Sequence, residues 1–295
     1  MIAAVLKTMR PPFLLLTLVC VFVGFCTSLT SGALVDKTLF SFTFIGAMSA
    51  HISVNMLNEY HDFKSGLDFK TQKTAFSGGS GALPNNPSIA TVVLLLGLLA
   101  LFITIVIGCY FITFIGTSIL PIGLIGLVII VTYTQWLNRM PVLCLIAPGV
   151  GFGLLMVVGT YLVLTLEYSP LVWLVSLIPF FLINNLLLLN QYPDMQADAS
   201  VGRKTFPLAF GIKRSNQVYG LFMVAAYSLI LIYMAVGILP TISVIALMPL
   251  ALSVFTLTGA VKHKSNIGSF PKYLAANVAA TLLTPFLLGL SLLIG

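Results

Sequence analysis

Residues 88–132 read SIATVVLLLGLLALFITIVIGCYFITFIGTSILPIGLIGLVIIVT, a stretch without a single Asp, Glu, Lys, Arg or His. A bilayer's hydrocarbon core is about 30 Å thick and takes roughly 20 apolar residues of helix to cross, so this stretch is long enough to cross it twice. Working outward, the 295-residue chain divides into nine uncharged blocks, at 12–34, 39–60, 88–108, 111–132, 142–165, 170–192, 216–237, 240–261 and 273–294. The pattern predicts an all-α, multi-pass membrane bundle of nine transmembrane helices, one domain over 1–295 with the lipid bilayer as its solvent. The pair 88–108 and 111–132 is joined by a very short connection.

Composition excludes other classes. Of all residues, 59% are hydrophobic and 7% charged, against roughly a quarter charged in soluble domains. The net charge of +7 comes from 14 Lys and Arg scattered between apolar runs; with no basic stripe or tail, nucleic acid is not the partner. The first block follows Lys7 and Arg10 but outruns the core of a secretory signal and shows no cleavage site, so it reads as a retained helix. Cys20, Cys26, Cys109 and Cys144 have no metal-like spacing and read as free thiols packed among apolar side chains.

Short loops rich in Lys and Arg stay cytoplasmic. With nine spans and the N-terminus inside, Lys7, Arg10, Lys64, Lys70, Lys73, Arg139, Arg203, Lys204, Lys213, Arg214, Lys262, Lys264 and Lys272 fall on one side and Lys37 alone on the other. Adding or removing a helix in the middle spoils this split, so it supports the count and places the C-terminus outside.

Five of the seven acids lie in two segments, where the second and sixth helices leave the membrane. One runs from Asn58 and Glu59 through Asp62 to Gly66 and Asp68; the other runs from Asn190 through Asp194 and Asp198 to Gly202, Arg203, Lys204 and Thr205. Asn58 and Asp62 are four apart, as are Asn190 and Asp194, and both pairs are offset by 132 (190 − 58 and 194 − 62). Both segments emerge on the same side, as in a parallel duplication. A spacing of four puts side chains on one helix face. Asp198 is expected to extend the second row by a turn, whereas Gly66 is expected to end the first helix and let Asp68 turn back from the loop.

Carboxylates crowded at a membrane boundary repel one another unless cations are present. Oxygen ligands of this kind suit Mg²⁺, which takes one or two carboxylates and completes its shell from water and phosphates. Acids to hold metal, ringed by Lys64, Lys70, Lys73, Arg203 and Lys204 at the mouth of an apolar bundle, have the composition of a diphosphate site. The implied substrate is a diphosphate with a long hydrocarbon tail. Loop salt bridges and lipid anchors explain single charges but not two copies of one spacing. A cation-coupled transporter is the rival from another class; its site would lie near the bilayer midplane, often within inverted repeats.

The two segments together resemble the paired aspartate motifs of the UbiA-type membrane prenyltransferases. Many members of that superfamily carry a third acid where Gly66 stands, and Gly66-x-Asp68 is instead similar to the dihydroxynaphthoate polyprenyltransferases of menaquinone synthesis. Lys73-Thr74 followed by Ser77–Gly81, Tyr133-Thr134, and Gly149-x-Gly151-x-Gly153 add to the likeness. Glu59 stands where Asp is frequent, Arg203-Lys204 reverses a Lys-Arg order, and Lys73 replaces an Arg; each change keeps the charge. The resemblance implies a bacterial inner-membrane enzyme with a cytoplasmic active site. It would carry a prenyl group from a polyprenyl diphosphate donor to an aromatic acceptor, 1,4-dihydroxy-2-naphthoate, with loss of carbon dioxide. Asp62, Asp68, Asp194 and Asp198 are then the catalytic, Mg²⁺-holding acids. Asn58, Asn190, Lys73, Arg203, Lys204 and Tyr133 are the substrate-binding residues, and Arg10, at the mouth of the first helix, either joins them at the diphosphate or anchors that helix to lipid headgroups. Another aromatic or lipid acceptor, or terpene cyclisation, stays open.

Other polar residues carry structural readings. His51, in the middle of the second block, is expected to be neutral and bonded to a neighbouring helix, and His61 to be interfacial. Gly149 and Gly153 form a small-xxx-small face for close helix packing. Gly78–Gly81 reads as a cover over the site, and Pro141, Pro148 and Pro193 as kinks or ends of helices.

Overall fold

Helix starts follow the prolines. A proline at the first turn has no N–H to leave unpaired and a φ already set for helix, and Pro11, Pro121, Pro141, Pro170, Pro207 and Pro271 all stand at such positions. The structure, a computed structural model, describes residues 1–71, 73–74 and 76–295, and among them all regular structure is helical. A short α1 (Ile2–Thr8) precedes α2 (Pro11–Thr30) and α3 (Lys37–Lys64). Asp36, one of the two acids outside the paired segments, caps α3 by accepting from the N–H groups of Thr38 and Leu39 at 2.7 and 3.0 Å.

A short α4 (Ala82–Asn85) leads to α5 (Ala90–Ile115) and α6 (Leu120–Thr132). Eight helical runs among the described residues are long and apolar enough to cross a membrane, and one of them, Pro87–Thr132, holds both blocks expected at 88–108 and 111–132. The break within it lies at Gly116–Ile119, later than the sequence suggested, because Gly116 takes φ 70° and ψ −156°, a conformation that ends α5 and favours glycine. The Tyr168 hydroxyl donates to the Ser118 carbonyl at 2.7 Å, fastening this break to the turn after α8.

The next segment comprises α7 (Pro141–Pro148), a π-helix (Gly149–Met156) and α8 (Val157–Thr165). Pro148 has no N–H to give to the ladder, and the widened turn begins at the next residue. Asn184 Oδ1 takes up the Gly149 N–H at 2.7 Å. After α9 (Pro170–Asn190) and α10 (Met195–Ser200), α11 runs over Phe206–Ala235 with a kink at Gly211 (φ 79°). It begins ten residues before the expected 216 because Lys213 and Arg214, which read as loop charges, ride exposed on the helix. α12 (Leu250–His263) and α13 (Pro271–Ile294) complete the chain.

The largest core joins α2, the α7–α8 segment, α9, α11 and α13 through side chains such as Cys20, Val157, Ile178, Leu182, Ile230 and Leu288. A polar ladder pins its centre. Asn185 Nδ2 donates to the Tyr219 carbonyl (2.9 Å), the Tyr219 hydroxyl to Asn277 Oδ1 (2.8 Å), and Asn277 Nδ2 back to the Asn185 carbonyl (3.3 Å). His51 bonds Thr17 on α2 at 2.8 Å, as expected of a neutral interhelical histidine. All four cysteines are free, three of them buried.

Gly149 and Gly153 give α9 its close seat. A Cβ at Gly153 would lie 2.5 Å from the Phe180 backbone, whereas one at Gly123 on α6 would meet nothing within 4 Å. Gly153→Ala is therefore expected to cost about 1–3 kcal/mol through overpacking, and Gly123→Ala to be neutral or slightly stabilising. Thermal melts of the two variants in detergent test this; equal melting temperatures would remove the packing role of Gly153.

Candidate active site

α3 continues past the expected end of its span to Lys64, and Gly66 (φ 78°) turns the chain, as the breaker reading anticipated. Asn58 and Asp62 share a face, and Asn58 Nδ2 donates to Asp62 Oδ2 at 3.1 Å. Asp68 follows in a 3-10 turn (Leu67–Phe69) that buries it. The second segment differs from its expected form. α9 stops at Asn190, just before Pro193, so the continuous row Asn190–Asp194–Asp198 is broken. Asp194 is the N-cap residue of α10, and only the step from Asp194 to Asp198 is a helical turn, with the Asp198 N–H on the Asp194 carbonyl at 2.8 Å.

All four aspartates, Asn58 and Asn190 border one cavity of about 270 Å³, whose wall also includes Arg10, Tyr133 and Arg203. Gly202 (φ 79°) turns Arg203 inward, where Nη2 pairs with Asp62 and Nη1 with Asp198 Oδ1 at 3.1 Å. One guanidinium thus ties the two copies of the motif together. Thr134 strengthens the junction, its hydroxyl donating to Asn58 Oδ1 at 3.0 Å. Lys73 and Lys204 are exposed and are not among the residues that line the cavity. A lysine stem at a membrane boundary gains by keeping its ammonium in water.

Glu59 is the residue that sequence reasoning passed over. It is fully buried. Arg10 reaches its Oε1 through Nη2 (2.7 Å) and Nε (2.8 Å), while Ser80 donates to it from its backbone N–H (2.7 Å) and its hydroxyl (2.6 Å). Gly78 N–H donates to Asp194 Oδ2 at 3.2 Å, so the glycine-rich segment is fastened to both halves beside the cavity. The sequence signal for Glu59 was its place beside Asn58 in a chain with seven acids. Among the described residues, every ion pair lies in this region: Arg10–Glu59, Arg203–Asp62 and Arg203–Asp198. His61 lies at the periphery, within 3.0 Å of the Gln135 amide.

Burial pushes the Asp68 carboxyl up to about 7, with Glu59 and Asp62 adding to the shift. Burial and the neighbouring Asp198 push Asp194 up to about 7 as well. Asp198 is also raised by burial, with Arg203 opposing. Asp68 Oδ2, Asp194 Oδ1 and Asn190 Oδ1 are buried without a hydrogen-bond partner. No three His, Cys, Asp or Glu side chains among the described residues converge on one point; the Arg203 guanidinium separates Asp62 from Asp198. Mg²⁺ needs only one or two carboxylates when phosphate supplies the rest, so orphaned oxygens from both segments on one cavity fit such an ion.

Fold and site together define a polytopic helical membrane protein with a largely apolar chamber into whose wall the ends of α3 and α9 bring acid and amide oxygens. The UbiA prenyltransferase family model matches residues 17–290, and the chain belongs to that family. It is 28% identical over 198 residues to a 1,4-dihydroxy-2-naphthoate octaprenyltransferase from Bacillus subtilis (strain 168), a match that spans 65% of this chain and 61% of that relative. The fold is similar to that of a UbiA homologue from Aeropyrum pernix K1 (TM-score 0.72, 15% identity, 96% of this chain and 98% of that one). It is also similar to a UbiA homologue from Archaeoglobus fulgidus solved with DMAPP and Mg²⁺ (TM-score 0.64, 13% identity, 98% and 99%).

The raised carboxyls set a pH dependence. In the unfolded chain an aspartate ionises near 3.9, while Asp68 and Asp194 hold their protons in the fold to about 7. Between these values the folded state binds more protons, so stability falls as pH rises through this window and levels off above it. Melting temperatures in detergent with a chelator are expected to decline from pH 4.5 to 7.5, and to decline less in Asp194→Asn. A rise over that range would contradict the buried, unpaired state of these acids.

Proposed function

We propose that this protein transfers a polyprenyl group from a prenyl diphosphate to an aromatic acceptor. The observation that carries the reading is the meeting of Asp62 and Asp68 with Asp194 and Asp198 on one cavity, with unpartnered oxygens from both segments. The motif pattern and the Bacillus subtilis relative favour 1,4-dihydroxy-2-naphthoate as acceptor. The Archaeoglobus fulgidus homologue, solved with Mg²⁺ and DMAPP, supports metal and allylic diphosphate as the pair the acids serve.

In this reading Asp62, Asp68, Asp194 and Asp198 hold Mg²⁺, and Asn58 orients Asp62 through their hydrogen bond. Bound Mg²⁺ supplies positive charge to a leaving diphosphate. Arg203 adds a fixed guanidinium for the charge that develops as the allylic C–O bond breaks and the electron pair departs with the diphosphate. Arg10, braced by Glu59, holds a second guanidinium at the cavity wall, while Lys73 and Lys204 raise the potential at the mouth. The electron-poor carbon is shielded from water by the apolar bundle, and the Tyr133 ring offers a face for cation–π attraction. The acceptor ring's electron pair forms the new C–C bond, and the ring regains aromaticity by losing a proton, or carbon dioxide where the attacked carbon bears a carboxylate.

We further infer that the Pro87–Thr132 run folds back at Gly116 and crosses twice, giving nine spans in a single domain, with the N-terminus and the site cytoplasmic and the C-terminus outside. A straight helix of its 46 residues would be about 69 Å long at 1.5 Å per residue, over twice the hydrocarbon thickness. Its middle is bonded to the turn after α8, while Thr134, just past its end, is bonded to Asn58 at the site. The thirteen-to-one division of Lys and Arg follows from the same count.

Membranes containing the protein, incubated with labelled polyprenyl diphosphate, Mg²⁺ and a panel of aromatic and glycerol-type acceptors, are expected to yield a prenylated hydroxylated aromatic. Asp62→Ala and Asp194→Ala should each lower turnover by at least about 10²-fold while leaving the protein in the membrane. Normal turnover in either variant would sink the two-cluster assignment.

A further inference from the structure

Beside Arg203 the cavity wall changes character. Tyr133, Asn138, Cys144, Gln191 and Thr205 border it there, and none of the five is an acid or a base. They come from five places in the chain: the end of α6, the 3-10 turn Leu137–Arg139, α7, and each of the two ends of the α9–α11 connection. Gln191 Nε2 lies 3.5 Å from Cys144 Sγ. The Lys204 N–H donates to the Asn138 carbonyl at 2.9 Å, fixing the Thr205 end of the connection against the Asn138 turn.

Three atoms of this wall are buried with no hydrogen-bond partner: Asn138 Oδ1, Gln191 Oε1 and Thr205 Oγ1. Their residues are 5%, 9% and 3% exposed. Each such group carries a desolvation cost when left unmet, and three on one wall of one cavity demand an explanation. Asn138 donates its Nδ2 to the Thr134 carbonyl, so its free atom is the oxygen. Thr205 occupies the N-cap position of α11 yet makes no capping bond, leaving its hydroxyl free for something else.

The chemistry of the three atoms selects the ligand. Two are amide oxygens, which accept only, and the third is a hydroxyl. The Thr205 hydroxyl has a proton to give to a phosphate, but neither part of the donor satisfies the two amide oxygens, because an ionised diphosphate brings further acceptors and a prenyl tail brings no polar atoms. Ring hydroxyl groups do, because each carries an O–H to donate. We infer that Asn138, Gln191 and Thr205 form the acceptor subsite, binding the hydroxyl groups of a hydroxylated aromatic ring beside Tyr133 and Arg203. This rests on the aromatic-acceptor reading above and names the residues that recognise the acceptor.

The test separates acceptor from donor binding. Purified full-length protein in nanodiscs is titrated with 1,4-dihydroxy-2-naphthoate and with 2-naphthoate, which lacks the hydroxyls, and separately with geranyl diphosphate and Mg²⁺. The wild type is expected to prefer the dihydroxy ring by about tenfold or more, as for about 1.4 kcal/mol of hydrogen bonding. Thr205→Val and Gln191→Leu are expected to cut that preference to about threefold or less, with geranyl diphosphate affinity within about twofold of wild type. Thr205→Val removes an unpartnered buried hydroxyl and keeps the side-chain shape, so its melting temperature should hold even if Gln191→Leu misfolds. A wild type without the preference, a Thr205→Val variant that retains it in full, or an equal loss of geranyl diphosphate binding would each overturn the subsite. Selective binding of the dihydroxy ring without any prenylated product would instead sink the transfer reading and leave the subsite standing.

Discussion

Like charges in a water-poor cavity set the central constraint of this molecule. Four aspartates and Glu59 share the chamber end of an apolar bundle, where each ionised carboxylate left unpaired carries a large desolvation cost. Two guanidiniums answer part of that charge. Arg203 spans Asp62 and Asp198, and Arg10 takes Glu59. The remaining acids, Asp68 and Asp194, have no guanidinium partner, carry carboxyls pushed up to about 7 and leave an oxygen without a hydrogen bond. The fold therefore brings two helix ends together with incomplete neutralisation, and the surplus is what a cation-requiring substrate can use.

The rest of the architecture keeps those two helix ends in register. α9 is held from one side by glycines that let its backbone approach the π-helix, and from the other by the Asn185–Tyr219–Asn277 ladder. Apolar contact with lipid and with neighbouring helices is nearly equivalent, so hydrophobicity alone gives little orientation inside a bilayer; close packing and buried hydrogen bonds supply it. The Asn184 bond to Gly149 belongs to the same system, because it satisfies a helix that Pro148 has interrupted. None of these bonds is made by a residue of the two acidic segments, yet they fix where Asn190, Gln191 and Asp194 emerge.

Much of this was legible before any coordinate. Span positions followed from runs without charge, and the paired segments stood out because only seven acids exist to be placed. The helix end at Gly66 was readable because glycine alone takes that turn cheaply. Where the reading slipped, a local signal was overruled. The break expected at 109–110 moved to Gly116, since a uniformly apolar stretch contains no mark of where it turns other than the glycine itself. Lys213 and Arg214 disguised the first turns of α11 because a helix protruding beyond the hydrocarbon can carry charge freely. The row through Asn190, Asp194 and Asp198 looked continuous by spacing, and Pro193 broke it while keeping all three on one cavity.

The site divides along the same line. Charged residues were found because charge is rare here, while Asn138, Gln191 and Thr205 were missed because neutral polar residues are common in interhelical contacts and mark nothing by themselves. Only burial without a partner distinguishes them, and burial is a property of the fold. The two kinds of residue also solve different problems. Carboxylates and guanidiniums act over several ångströms and tolerate a broken helix row, whereas an amide or hydroxyl recognises its partner only within hydrogen-bonding distance. The charge motif can therefore be written at fixed spacing in one segment and repeated in another. The neutral wall has to be gathered from separate places in the chain by the packing of α6, α7, α9 and α11, and its specificity rests on the glycines and buried amides that hold those helices in place.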